Sequence, residues 1–228
     1  MKSRILIASL VLVILLGLNS CVTLQPFYYG TYDISMSEVE RPAKAKERYG
    51  EQKITSTTEE GNLKYYFEDD LVKIAWLATS SSLSFMMENK TDHSIKIIWD
   101  EAAFVDNKGI SQRIMHSGVK YTDRNASQPP TIIVRKGRIE DIIVPTNNVY
   151  FDEGYYSKYY TRKAEWKEKP FFESLQYGGD PKVFENEMRN NVGKTFQVLL
   201  PLEIENVVND YIFKFKVDAY EYKGEYKK

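Results

Sequence analysis

Over much of this chain, apolar and polar residues change places every second position, the period of a strand with one buried face. Val72, Ile74 and Trp76 share one side of 71–78, and Leu83, Phe85 and Met87 oppose Ser84, Met86 and Glu88. Ile95, Ile97 and Trp99 alternate with Lys96 and Ile98. Asp106-Asn107-Lys108-Gly109 then turns the run back into 110–116, a hairpin signal. Lys136-Gly137 splits two further strands, 131–135 and 138–144. The longest pattern comes last: Phe196, Val198 and Leu200 line one face of 194–205, and Ile212, Phe213, Phe215, Val217 and Tyr220 supply 210–222. An aromatic run at 62–67 opens the zone, with turn residues at Asp69-Asp70 and Asn89-Lys90-Thr91-Asp92.

Two segments break the period. A short helix fits 43–49, behind Pro42. A second fits 181–189, where Asp180 can accept from free N–H groups and Pro181 is tolerated in the first turn. The rest of 150–191 is aromatic, charged and aperiodic. Seven or so strands, with turns about every 10–15 positions, predict a mainly β protein: an antiparallel β-sandwich over 54–225, with an aromatic-rich insertion at about 150–191. A closed up-and-down barrel is the alternative.

The first 21 residues obey a different rule. Lys2 and Arg4 precede about 14 apolar residues, short of the roughly 18–20 that a spanning helix needs, and Leu18-Asn19-Ser20-Cys21 follows. This layout resembles a bacterial lipoprotein signal peptide, 1–20, ending in a lipobox. The resemblance implies cleavage before Cys21, a diacylglyceryl group on its sulfur, acylation of the new amino group and a lipidated tether over 21–53. One acyl chain holds a protein weakly, whereas two or three anchor it durably. Val22 stands where enterobacterial lipoproteins retained at the inner membrane carry aspartate, so the resemblance implies the outer membrane.

In the mature part, Leu83-x-Phe85, Asn89-x-Thr91 and Ile95-x-Ile97-x-Trp99 resemble small immunoglobulin-like domains of exported bacterial proteins. So do Phe196-x-Val198-x-Leu200 and Tyr211-x-Phe213-x-Phe215-x-Val217. Trp99-Asp100-Glu101 and His116-Ser117-Gly118-Val119-Lys120-Tyr121 are similar to stretches in lipoproteins of unknown function from Bacteroides-like organisms. These resemblances imply an immunoglobulin-like β-sandwich and no particular activity.

Loss of 1–20 removes Lys2 and Arg4 and leaves 29 basic against 32 acidic residues, a net charge of −3. That balance lacks the electrostatic footprint of a nucleic-acid binder and gives no polybasic membrane surface. Cys21 is the only cysteine, so lipidation leaves no thiol for a disulfide, a zinc site or a nucleophile. Core packing must hold the domain.

Candidate chemistry is sparse. His116 meets Ser117, but neighbours in a strand point to opposite faces, so a hydrogen-bonding role at a strand end is expected in preference to general-base catalysis. Asp92, Asp100, Glu101 and Asp106 offer oxygen ligands at a spacing that matches no calcium loop, and no cofactor is implied. Two loops carry more weight. The polar stretch 117–130 ends in Pro129-Pro130 and holds Lys120, Tyr121 and Arg124; with Arg113 it offers cations to an anion or to a partner's carboxylate. Within 150–172, Tyr155, Tyr156, Tyr159, Tyr160 and Trp166 suit packing onto the host, a protein interface or stacking on a sugar. The expected function is a non-catalytic, lipid-anchored binding or assembly module contacting another envelope protein. A glycan-binding surface lipoprotein is the alternative.

Overall fold

The computed structural model describes residues 26–42, 45–59, 62–158 and 161–225. In chain order they form β1 (Phe27–Glu40), α1 (Ala45–Tyr49), β2 (Lys53–Glu59), β3 (Asn62–Glu68), β4 (Val72–Ala78) and β5 (Leu83–Asn89). There follow β6 (Ile95–Ile97), β7 (Ala103–Val105), β8 (Ser111–His116), β9 (Thr131–Ile133) and β10 (Arg138–Pro145). The last part comprises β11 (Val149–Asp152), β12 (Tyr155–Tyr156), β13 (Thr161–Arg162), β14 (Glu165–Glu168), β15 (Leu175–Tyr177), α2 (Pro181–Arg189), β16 (Thr195–Ile204) and β17 (Val207–Glu225).

The main strands run β15-β1-β17-β16-β7-β8-β10-β5-β4-β3-β2, and β6 links β16 to β9. Every pairing is antiparallel, and the sheet folds over on itself into a β-sandwich. The corner is β8: Ser111, Gln112 and Arg113 pair with β7 in one layer, and Ile114, Met115 and His116 pair with β10 in the other. Its two ends, β15 and β2, do not pair with each other, so the sheet is not the closed barrel.

The alternation read from the sequence sets the core. Trp76 of β4 lies opposite Phe85 of β5, with ring centroids 5.0 Å apart. Across the sandwich, Trp76 meets Phe213 at 5.0 Å and Phe215 at 5.6 Å, and Phe67 meets Phe213 at 5.7 Å. Burying one large side chain is worth roughly 1.5–3 kcal/mol, which lets apolar area replace the absent disulfide. The β16–β17 hairpin closes through Glu205 and Asn206, at φ 50° and 62°. Two left-handed residues of this kind make the turn whose twist matches the strands.

The tether expected over 21–53 is corrected: within it, Phe27–Glu40 is strand β1, bonded to β17 and β15 inside the sheet. Its ladder with β17 shifts register three times, but two of the extra residues, Lys223 and Asp218, are on β17, and only Ser37 is on β1. Ser37 resets which β1 side chains face inward, so the buried positions pass from Met36 to Val39. Of the helix expected over 43–49, Ala45–Tyr49 is α1, and 43–44 lie outside the described residues. Arg41 and α1 then latch the strand down. Asp69 accepts from Arg41 Nη1 at 3.3 Å, from the Tyr211 hydroxyl at 3.0 Å and from the N–H groups of Leu71 and Val72. The Tyr49 hydroxyl donates to Asn209, which sits inside β17 although it falls between the strands expected at 194–205 and 210–222.

The region 150–191 is not one insertion. It divides into a two-stranded arm, the edge strand β15 and helix α2. Asp180 caps α2 as expected, accepting from the Lys182 N–H at 2.9 Å. Phe184 and Met188 of α2 pack with Tyr28, Tyr220 and Tyr222 over Gly30 of β1, where a Cβ would strike Met188.

Candidate functional site

Where the two layers meet, the segments 117–130 and 149–168 come together. The first is fastened to β8 at several points. Arg113 donates to Asp100 Oδ1 at 2.7 Å and to the carbonyls of Asn125 and Ala126 at 3.1 and 3.0 Å. Asp100 also accepts from the Ser127 hydroxyl and the Gln128 N–H, and these bonds hold its carboxyl below the usual range. Gln128 is buried, donating to the Ile114 carbonyl and accepting from the His116 N–H. The segment is thus a rigid crossover. Arg113, expected to face a partner, has its fork of donors engaged by the bend of the loop, while its side chain stays 41% exposed.

The second segment is a hairpin arm. Val149 to Asp152 pair with Glu165 to Glu168, and Tyr155-Tyr156 pair with Thr161-Arg162 farther out. Asp152 fixes the bend: it accepts from Arg162, Lys167 and the Gly154 N–H, and the Lys167 bond lowers its pKa. Gly154 is at φ 74° and a Cβ there would strike the backbone of 162–164, so the bend needs glycine.

The root of the arm joins the crossover. Tyr121 stands 6.0 Å from Trp166, Arg124 lies over the Trp166 ring at 5.1 Å, and Phe151 meets the same ring edge-on at 5.4 Å. The Tyr121 hydroxyl donates to Glu168 Oε1 at 2.8 Å, which together with burial raises its pKa. Ser81 donates to the other Glu168 oxygen at 2.8 Å. Beneath lies a small apolar cluster of Met115, Val144 and Val149, with Val119, Tyr121 and Trp166 against it. Toward the tip the rings reach water: Phe151 is 49% exposed, Tyr155 57% and Tyr156 73%.

Of the residues singled out by sequence, Tyr121, Arg124 and Trp166 are brought together, Lys120 is exposed at the start of the 3₁₀ turn Tyr121–Asp123, and Arg113 is bonded to Asp100 and the loop carbonyls. Tyr155 and Tyr156 sit farther out on the arm, while Tyr159, Tyr160 and Cys21 lie outside the described residues. Glu168 and Phe151 were missed. Their signal was the two-residue spacing Val149-x-Phe151 and Trp166-x-Glu168 on either side of Gly154.

His116 has the strand-end hydrogen-bonding role expected of it. Its Nδ1 lies 3.1 Å from Asp141 Oδ2, and its ring stacks on Trp99 at 4.2 Å. Ser117 turns its N–H, 2.9 Å away, to the same carboxylate. The acids weighed as calcium ligands are separated: Asp92 pairs with Lys136, Asp100 holds the crossover and Asp106 accepts from the N–H groups of its own turn. Among the described residues no three His, Cys, Asp or Glu side chains form a metal-sized group, and no helix is long and apolar enough to cross a membrane.

No protein family, curated protein or solved structure compared with this chain matches it.

Proposed function

We propose that this protein is a lipid-anchored, non-catalytic module of the cell envelope that binds another envelope protein through the 149–168 arm. One observation carries the reading: the arm is fixed at its root and bare at its outer end. Tyr121, Arg124 and Glu168 hold Trp166 and β14 in place, while Phe151, Tyr155 and Tyr156 face solvent. A lone two-stranded ribbon is marginal in water, and exposed rings on it gain from being covered. Tyr and Trp also dominate binding energy at interfaces, because they bring large contact area at small entropic cost.

The leader reading places this surface at the membrane, with the lipid on Cys21 in the outer membrane. Cys21→Ser is expected to abolish processing and to move the chain out of the membrane fraction. Unchanged processing and fractionation would sink the anchoring. For the partner, a photo-crosslinking amino acid at position 156 of the full chain, activated in intact cells, is expected to give one reproducible protein adduct. Absence of any adduct counts against the assembly reading. Sugar binding competes for the same rings, but Arg124 and Phe151 already cover much of Trp166. Saturable binding on a glycan array that Trp166→Ala removes would favour the sugar.

A further inference from the structure

Strand β2 ends the sheet path, and among the described residues nothing pairs with its outer side. Such an edge offers a row of free N–H and C=O groups to any extended chain, and proteins usually blunt it with a mid-strand lysine, a proline, a bulge or a very short strand. β2 has none of these. Its seven residues pair with β3 in unbroken register, and every residue from Lys53 to Thr58 is exposed. Its middle, Ile54-Thr55-Ser56-Thr57-Thr58, is uncharged and largely β-branched, the composition that pairs best. The opposite end of the sheet is guarded by length, since β15 has three residues.

We propose that β2 is a self-association surface: two copies pair β2 antiparallel about a two-fold axis at Ser56, joining both sheets into one. The strand's own sequence argues for a second copy rather than a foreign chain. Centring on Ser56 sets 54 against 58, 55 against 57 and 53 against 59. In an antiparallel strand, alternate residues direct both backbone groups to one side. This register matches even positions with even ones and odd with odd, so outward-facing groups meet outward-facing groups. The strand's only charged residues, Lys53 and Glu59, occupy its two ends. The antiparallel register therefore sets unlike charges against each other at both ends, whereas a parallel one sets like against like. Thr55 of each copy falls opposite Thr57 of the other, a favourable cross-strand pair. The contact is isologous and closes at two copies.

The test uses the full chain in detergent. Light scattering corrected for detergent is expected to give twice the monomer mass, and Ser56→Lys, which opposes two lysines at the axis, to halve it. The substitution lies on an exposed edge, so the melting temperature should hold. Register is read with a short thiol crosslinker, against the parent chain with its single Cys21. Ser56→Cys alone, and a mixture of Ile54→Cys with Thr58→Cys, should crosslink about tenfold more than Thr58→Cys alone, whose thiols would stand ~13 Å apart along the strands. A monomeric parent chain, a dimer that survives Ser56→Lys, or equal crosslinking through Thr58 and Ser56 overturns the proposal.

Discussion

The sandwich and the arm are both rich in aromatic side chains and use them in opposite ways. Phe67, Trp76, Phe213 and Phe215 are at most 1% exposed, whereas Tyr155 and Tyr156 stand mostly in water. Ring chemistry is shared; the difference is a facing layer. β4 has β17 across the core, while among the described residues β12 and β13 pair only with each other. In the first setting a ring stabilises the fold, and in the second its apolar area is left for a partner. The largest expected effect follows. Trp76→Ala should lower unfolding free energy by about 3–5 kcal/mol in urea titration, because a cavity adds to the lost transfer energy. A loss under about 1 kcal/mol would mean that the two regions are not so different.

A second break point lies where the core meets the N-terminal latch. Burial, then the nearby Asp69 carboxylate, raise the Tyr211 pKa far above its ordinary value near 10. The fold therefore holds Tyr211 protonated, while the unfolded chain releases the proton above pH 10. Stability from this group is intact below pH 10 and declines as pH rises beyond it, by about 1.4 kcal/mol per pH unit. Denaturant titrations from pH 9 to 11 should show that decline, and Tyr211→Phe should lose it while being weaker at pH 8, where Asp69 lacks one donor. Parallel pH curves for the two proteins would remove Tyr211 from the account.

The same contrast explains what could be read in advance. The β16–β17 hairpin and α2 were legible because each has a single local signal: alternation through Phe196, Val198, Leu200 and Tyr211, Phe213, Phe215, Val217 in one, and Asp180 with Pro181 in the other. β1 was not, because Phe27 and Tyr29 are as apolar as the buried Tyr28 between them, Gly30 is buried without a side chain, and Ser37 shifts the period. The arm was not, because strands of two to four residues are too short to show one. At the site, the aromatic rings and Arg124 announced themselves by type. Glu168 did not, because its role comes from contacts with Tyr121, 47 positions away, and Ser81, 87 positions away. Nor did type show that Arg113 fastens the loop, because the carbonyls it meets lie 12 and 13 positions away.

The smallest effects on folding fall on the arm, and they separate its root from its tip. Trp166→Ala removes the ring under Arg124 and beside Tyr121 and Phe151, yet it lies outside the sandwich core, so global stability should fall by only about 1–2 kcal/mol. Its chief consequence is local, since a hairpin without its footing opens more often. Limited proteolysis should therefore cut within 149–168 several-fold faster while the sandwich stays intact. Tyr156→Ala should leave both stability, within about 0.5 kcal/mol, and the cleavage rate unchanged, because its ring packs on little. In cells the two variants should converge again: both lose the proposed partner, one by disordering the arm and the other by deleting its contact. If Tyr156→Ala instead destabilised the fold as Trp166→Ala does, the tip would be part of the packed structure, and the division between a footed root and a bare binding end would fail.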